Sequence, residues 1–104
     1  MKLGGWLRGQ IILGIIIGVI VYIGLSLLKI PYALTLGVLA GLLEIIPIIG
    51  PIISAVPAIL IAFTISPTTA LMVTVFYILV QELENKFLVP KVMQQTVGLN
   101  PISI

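Results

Sequence analysis

Few side chains in this 104-residue chain can do chemistry, and they stand in two places. The first is Glu44, the single carboxylate between Lys29 and Glu82, set in the stretch from Leu42 to Pro57 that reads LLEIIPIIGPIISAVP. A charge in the middle of a bilayer costs about 2.5–3.5 kcal/mol on insertion scales, and an intramembrane acid is a functional hypothesis by default. Glu44 also falls in the last turn of an expected helix, where the dipole disfavours an anion. Both penalties point to a compensating cation: a lysine, a proton or a transported ion. The plain alternative is a hydrated acid at the membrane interface. The second place is Gln81-Glu82-Leu83-Glu84-Asn85-Lys86. Glu82 and Lys86 have i,i+4 spacing with the acid first, the better order for a helical ion pair. Glu84 falls on a different face without a local partner. It reads either as part of a solvated helix end or as part of a polar pathway.

Much chemistry is excluded. The chain has no Cys, His or Asp, so disulfides, zinc sites, thiol nucleophiles and histidine-based triads are ruled out within it. Ser54 would be a nucleophile without a base. The sequence therefore reads as a non-enzyme with no cofactor and no metal site. A net charge of +2 is too small to argue for a nucleic-acid partner.

The elements that position these groups are apolar. Hydrophobic residues make up 61% of the chain and charged ones 8%, with a mean hydropathy of +1.37; a soluble domain carries about 25% charged residues. The expected class is all-α, a polytopic membrane protein whose first partner is the lipid bilayer. Residues 1–29 read as a transmembrane helix. Trp6 beside Lys2 and Arg8 suits the headgroup level, and the uncharged run from Gly9 to Leu28 is too long for a signal-peptide core. Gly14 and Gly18 form a GxxxG pair that permits close helix packing.

Residues 31–65 read as a Pro/Gly-broken helical hairpin. Pro31 suits the first position of a helix from Tyr32 to Ile46, which carries a second GxxxG at Gly37 and Gly41. Pro47, Gly50 and Pro51 break it. A second short helix runs from Ile52 to Ile65, interrupted by Pro57. Neither half comfortably spans ~30 Å of hydrocarbon. The uncharged tip, Pro47 to Pro51, favours a re-entrant hairpin over two short or tilted spans. In the re-entrant reading, freed carbonyls near residues 43–47 and freed amides near residues 50–53 become ligands for a small polar solute or a cation beside Glu44.

Ser66-Pro67-Thr68-Thr69 is a turn and helix-cap signal. Residues 67–87 read as a second transmembrane helix, apolar on all sides until Gln81 and broken at Leu88-Val89-Pro90. Residues 88–104 read as a cytoplasmic segment leading into a further helix, so the chain is expected to be part of a longer protein. Charge asymmetry places Lys2, Arg8, Lys86 and Lys91 in the cytoplasm and leaves Lys29 outside.

Taken together, W-L-R-G-Q (Trp6 to Gln10), P-Y-A-L (Pro31 to Leu34), I-P-x-I-G-P (Ile46 to Pro51), Q-x-x-E-N-x-x-L-V-P-K-x-M (Gln81 to Met93) and G-L-x-P (Gly98 to Pro101) resemble the autoinducer-2 exporter family of bacterial permeases. The resemblance runs through nearly the whole chain. It implies a multi-pass protein of the bacterial inner membrane that exports the quorum-sensing signal autoinducer-2, a small polyhydroxylated molecule. Other members are associated with sodium (or lithium)/proton antiport. The motif residues carried over are Glu44, Pro47, Gly50, Pro51, Gln81, Glu84, Asn85 and Pro90. Members of the family vary between Glu and Asn at the Glu44 position, which weakens a strict proton-carrier role there.

Three readings compete. One is a transporter of a small polar solute, working at the broken hairpin and expected to form a homo-oligomer. Another is a cation/proton antiporter using Glu44 and Glu84. The third is a non-transporting scaffold held together by its GxxxG pairs.

Overall fold

The computed structural model describes residues 2–46 and 48–92. Its elements are α1 (Lys2–Leu27), α2 (Ala33–Leu43), α3 (Ile49–Phe63) and α4 (Pro67–Leu83), the last running on into a π-helical turn, Glu84–Leu88. Among the described residues every regular element is helical. Each helix packs on its chain neighbour, α1 most extensively on α2, and α4 returns to α1.

The 26 residues of α1 rise ~39 Å. Within it Gly4–Leu27 is long and apolar enough to cross a membrane, and it alone reaches that length among the described helices. Leu13, Ile17, Val21 and Leu25 form its buried stripe, while Ile11, Ile15, Val19 and Ile23 lie exposed on another face. A helix apolar all round belongs in a protein core or in lipid. Leu60, Leu71, Ile78 and Leu79 extend the exposed apolar surface onto α3 and α4, far more than a soluble monomer tolerates in one patch.

Ala58 and Ala62, both fully buried on α3, and Ala70 and Val73 on α4 complete the core with small side chains. Between α1 and α2 the glycines meet across the seam. A Cβ added to Gly14 would stand 2.6 Å from the Gly41 carbonyl oxygen, and one added to Gly37 would stand 2.8 Å from that of Gly18. Backbone packs directly on backbone there, which brings the end of α2 against the first half of α1.

The α1–α2 connection is a Schellman turn. Ile30 N–H donates to the Leu25 carbonyl (2.9 Å) and Lys29 N–H to that of Ser26 (3.0 Å). Lys29 takes the left-handed conformation, φ 61°, where glycine is usual. Ile30 and Leu25 are both buried in one core cluster, where the motif usually places a hydrophobic pair. Pro31 therefore lies in the connection and does not open the helix. Tyr32, itself left-handed at φ 63°, precedes the first helical residue, Ala33.

The hairpin breaks between Leu43 and Ile49, so α2 ends earlier than expected, and Gly50 and Pro51 lie in the first turn of α3 instead of in the break. Pro47 has no N–H to offer the Leu43 carbonyl; Ile46 N–H takes it instead at 3.0 Å, tightening the last turn. Ile48 turns the chain at φ 71°, ψ −59°, close to the strained γ-turn angles and unusual for a β-branched residue. The chain then enters α3 at Ile49, three residues before the expected start. Gly50 is buried because the Leu43 carbonyl occupies the space its side chain would need. The expected supply of free backbone ligands at the tip is corrected in part. Gly50 N–H donates to the Ile46 carbonyl at 3.0 Å, so the carbonyls of Leu43 and Ile46 and the amide of Gly50 are already paired.

Two further prolines behave differently from expectation. Pro57 lies inside α3, which continues to Phe63 without interruption; the ring removes the hydrogen bond that the Ile53 carbonyl would accept. Pro90 does not end α4 either: residues 89–92 remain helical. The turn before Pro90 widens instead, with Val89 N–H donating to the Glu84 carbonyl five residues back. An α-helix would place the proline ring against the carbonyl four residues back, and a π turn relieves that clash. The start of α4 follows the cap signal: Ser66 accepts from Thr69 N–H at 3.0 Å, and Pro67 opens the helix.

Candidate functional site

A cleft of about 630 Å³ opens between the first turns of α1, the hairpin tip and the second half of α4. Trp6 and Gln10 line it from α1, Glu44 and Pro51 from the hairpin, and Gln81, Glu84 and Asn85 from α4 and its π turn. Two groups far apart in the sequence, around Glu44 and around Glu84, thus face one space.

Glu84 is 3% exposed, and its Oε1 is buried without a hydrogen-bond partner among the described residues. The solvated helix end foreseen for this segment describes Glu82 and Lys86 instead. These are well exposed and pair at 3.1 Å, outside the cleft. Two residues on from Glu82, Glu84 falls on the other side of the helix and faces the cleft. Glu44 is also buried, at 6% exposure, as the residue that caps the end of α2. Among the described residues, two carboxylates therefore line the cleft and no basic side chain does.

Of the remaining residues singled out in the sequence, Gly50 serves the crossing of α2 and α3 and does not line the cleft. Pro47 lies outside the described residues. Ser54, 2% exposed, spends its hydroxyl on the Pro51 carbonyl at 2.9 Å.

Sequence reasoning missed the apolar lining from Ile48, Ile52, Ala55, Ile59, Ile78 and Val89, and three hydrogen-bonding cleft residues. Thr74 and Tyr77 continue the Gln81–Glu84 face of α4 toward its start. The Tyr77 hydroxyl is buried without a partner among the described residues, while Thr74 donates to the Ala70 carbonyl at 2.8 Å. The spacing 74, 77, 81, 84 is one helical stripe; it was legible in principle, but apolar residues at the intervening positions hid it. The third is Gln10, whose Nε2 donates to the Glu44 carbonyl at 2.9 Å across 34 residues of chain.

The profile of the AI-2E transporter family matches residues 1–104. The chain belongs to that family. Its curated relatives include YrrI of Bacillus subtilis, 38% identical over 103 residues (99% of this chain, 29% of the relative), and YueF of the same organism, 32% identical over 102 residues (98% and 28%). A Thermotoga maritima protein is 32% identical over 93 residues, 88% of this chain and 29% of its own. All three carry provisional transport-protein names. The chain spans under a third of the length of these relatives. No solved structure matches it significantly. For a member of the AI-2E family, a cleft where polar side chains from three elements meet among apolar ones such as Ile52, Ile59 and Ile78 is the feature to weigh.

Proposed function

We propose that this chain is part of a multi-pass transporter of the bacterial inner membrane, and that the cleft between Gln10, Glu44, Gln81, Glu84 and Asn85 holds a small polar solute during its passage. One observation carries the reading: polar side chains from α1, the hairpin tip and α4 converge on a single space while the outer surface is apolar. A scaffold has no use for a buried carboxylate such as Glu84, whose Oε1 has no partner among the described residues and so costs stability. In this reading the α2–α3 hairpin is re-entrant, since irregular backbone at membrane depth is tolerated where it is buried in protein or lines a cavity. Hydroxyl-rich solutes such as autoinducer-2 suit a site of carboxylates and amides, which accept and donate hydrogen bonds in turn.

A second reading draws on a specific feature, the two carboxylates without a basic side chain among the cleft's described lining residues. That balance favours a monovalent cation or a proton, as sodium(lithium)/proton antiport requires.

Reconstitution of the full-length protein in liposomes separates the two. Autoinducer-2 efflux and sodium-driven proton movement are measured for wild type and Glu44→Gln. A solute exporter retains most of its efflux in Glu44→Gln, because the amide still hydrogen-bonds; an antiporter loses its ion-coupled flux. If the wild type moves neither, transport at this cleft is refuted.

A further inference from the structure

We infer that Gln10 is the positioning residue of the hairpin break: its side-chain amide fixes the tip, and with it Glu44, against α1. This deepens the transport reading and rests on it for its functional consequence, though not for its structural one.

Local turns satisfy the Leu43 and Ile46 carbonyls. The Glu44 carbonyl would bond the amide of residue 48 in a continuing helix, but Ile48 turns away at φ 71°. The donor it receives instead is Gln10 Nε2, at 2.9 Å and buried. An orphan carbonyl in a dry setting is costly, so this bond decides where the break can rest. Ser54 and Thr74, on the helices that flank the cleft, do not do this work: they make their hydrogen bonds within three and four residues.

Position adds a second line of support. Gln10 is 6% exposed and borders two spaces. One is the cleft that Glu44 and Glu84 share. The other is an apolar groove of about 400 Å³ along the α1–α2 glycine seam, lined by Ile11, Val38 and Leu42 among others. Gln10 thus stands in the wall between the cleft and the outer groove, one helical turn above Trp6. The glycine seam sets how close α1 and α2 approach, and the amide sets where the end of α2 stops along α1.

The test uses the full-length protein, cleared of other cysteines, with spin labels at Ile15 on the exposed face of α1 and at Ile48 on the tip. The distance between them is read by pulsed electron resonance in proteoliposomes, beside the half-saturation concentration for autoinducer-2 efflux. Gln10→Leu and Gln10→Met keep the volume and remove the donor; Met, unbranched and flexible, is the variant that decides if Leu does not fold. The expected result is a broadened Ile15–Ile48 distance distribution in the variant, with a half-saturation concentration raised at least several-fold and a maximal rate changed less. A wild-type distance distribution in folded Gln10→Met overturns the inference, whatever the transport result. Broadening in a protein whose wild type moves no solute supports the positioning role and removes the transport reading instead.

Discussion

At the scale of the residue, the two glutamates of Gln81–Lys86 differ more than their spacing implies. Glu82 is exposed and paired with Lys86, and exposed i,i+4 pairs contribute about 0.3–0.5 kcal/mol. Glu82→Ala should therefore lower stability by no more than about 0.5 kcal/mol and leave transport near wild type, as checked by thermal unfolding in detergent and liposome flux. Glu84 is the reverse case. Its Oε1 has no partner among the described residues, and a buried unsatisfied polar group costs about 1–3 kcal/mol. Glu84→Leu should raise the unfolding temperature or leave it unchanged while abolishing flux; a large loss of stability would mean the carboxylate has a structural partner. The sequence stated the Glu82–Lys86 pairing outright. The inward course of Glu84 continues the stripe of Thr74, Tyr77 and Gln81 along α4, which the apolar residues between them obscured in the sequence.

At the scale of the element, the glycine seam and the hairpin break make separate predictions. Gly41→Ala places a methyl group 2.6 Å from the Gly14 carbonyl oxygen, and Gly18→Ala places one 3.1 Å from that of Gly37. Overpacking costs typically about 1–3 kcal/mol, so Gly41→Ala should be the more destabilising of the two. Gly4→Ala, which meets nothing within 4 Å, should be neutral. Thermal unfolding of the three variants orders them, and equal effects would deny the close α1–α2 approach. The element pattern was readable where local chemistry decides it: the Ser66 cap and the long apolar α1; Gly50-Pro51, expected to break the chain, instead lies in the first turn of α3. It was not readable where one element borrows from another. The early end of α2 depends on Ile46 taking over the Leu43 carbonyl, and the tip's resting place on a glutamine 34 residues away. Pro57 misled because a single missing donor does not end a helix held by packing on both sides, with Ala58 and Ala62 fully buried just beyond it.

At the scale of the whole molecule, the arrangement is an apolar body of 52 × 21 × 19 Å with its buried polar side chains, Gln10, Glu44, Ser54 and Glu84, gathered toward one end. The long axis exceeds the ~30 Å hydrocarbon core of a bilayer. The start of α1, the hairpin tip and the end of α4 meet there because α1 and α4 run in opposite directions and the hairpin turns back between them. Composition alone announced the membrane class, and the motifs announced the family. The cleft needed the fold, since its lining comes from segments more than thirty residues apart.

The central claim, that this cleft is a wet site for solute inside an otherwise lipid-facing body, is tested most directly by thiol accessibility in the reconstituted full-length protein, cleared of its other cysteines. Ala55 lines the cleft; Leu60 lies on the exposed apolar face of the same helix. A membrane-impermeant, water-soluble thiol reagent should label the Ala55→Cys variant and leave the Leu60→Cys variant unlabelled, and the transported solute should slow labelling of the first. Equal protection of both variants from the reagent, or labelling of Ala55→Cys that no solute slows, would contradict the account.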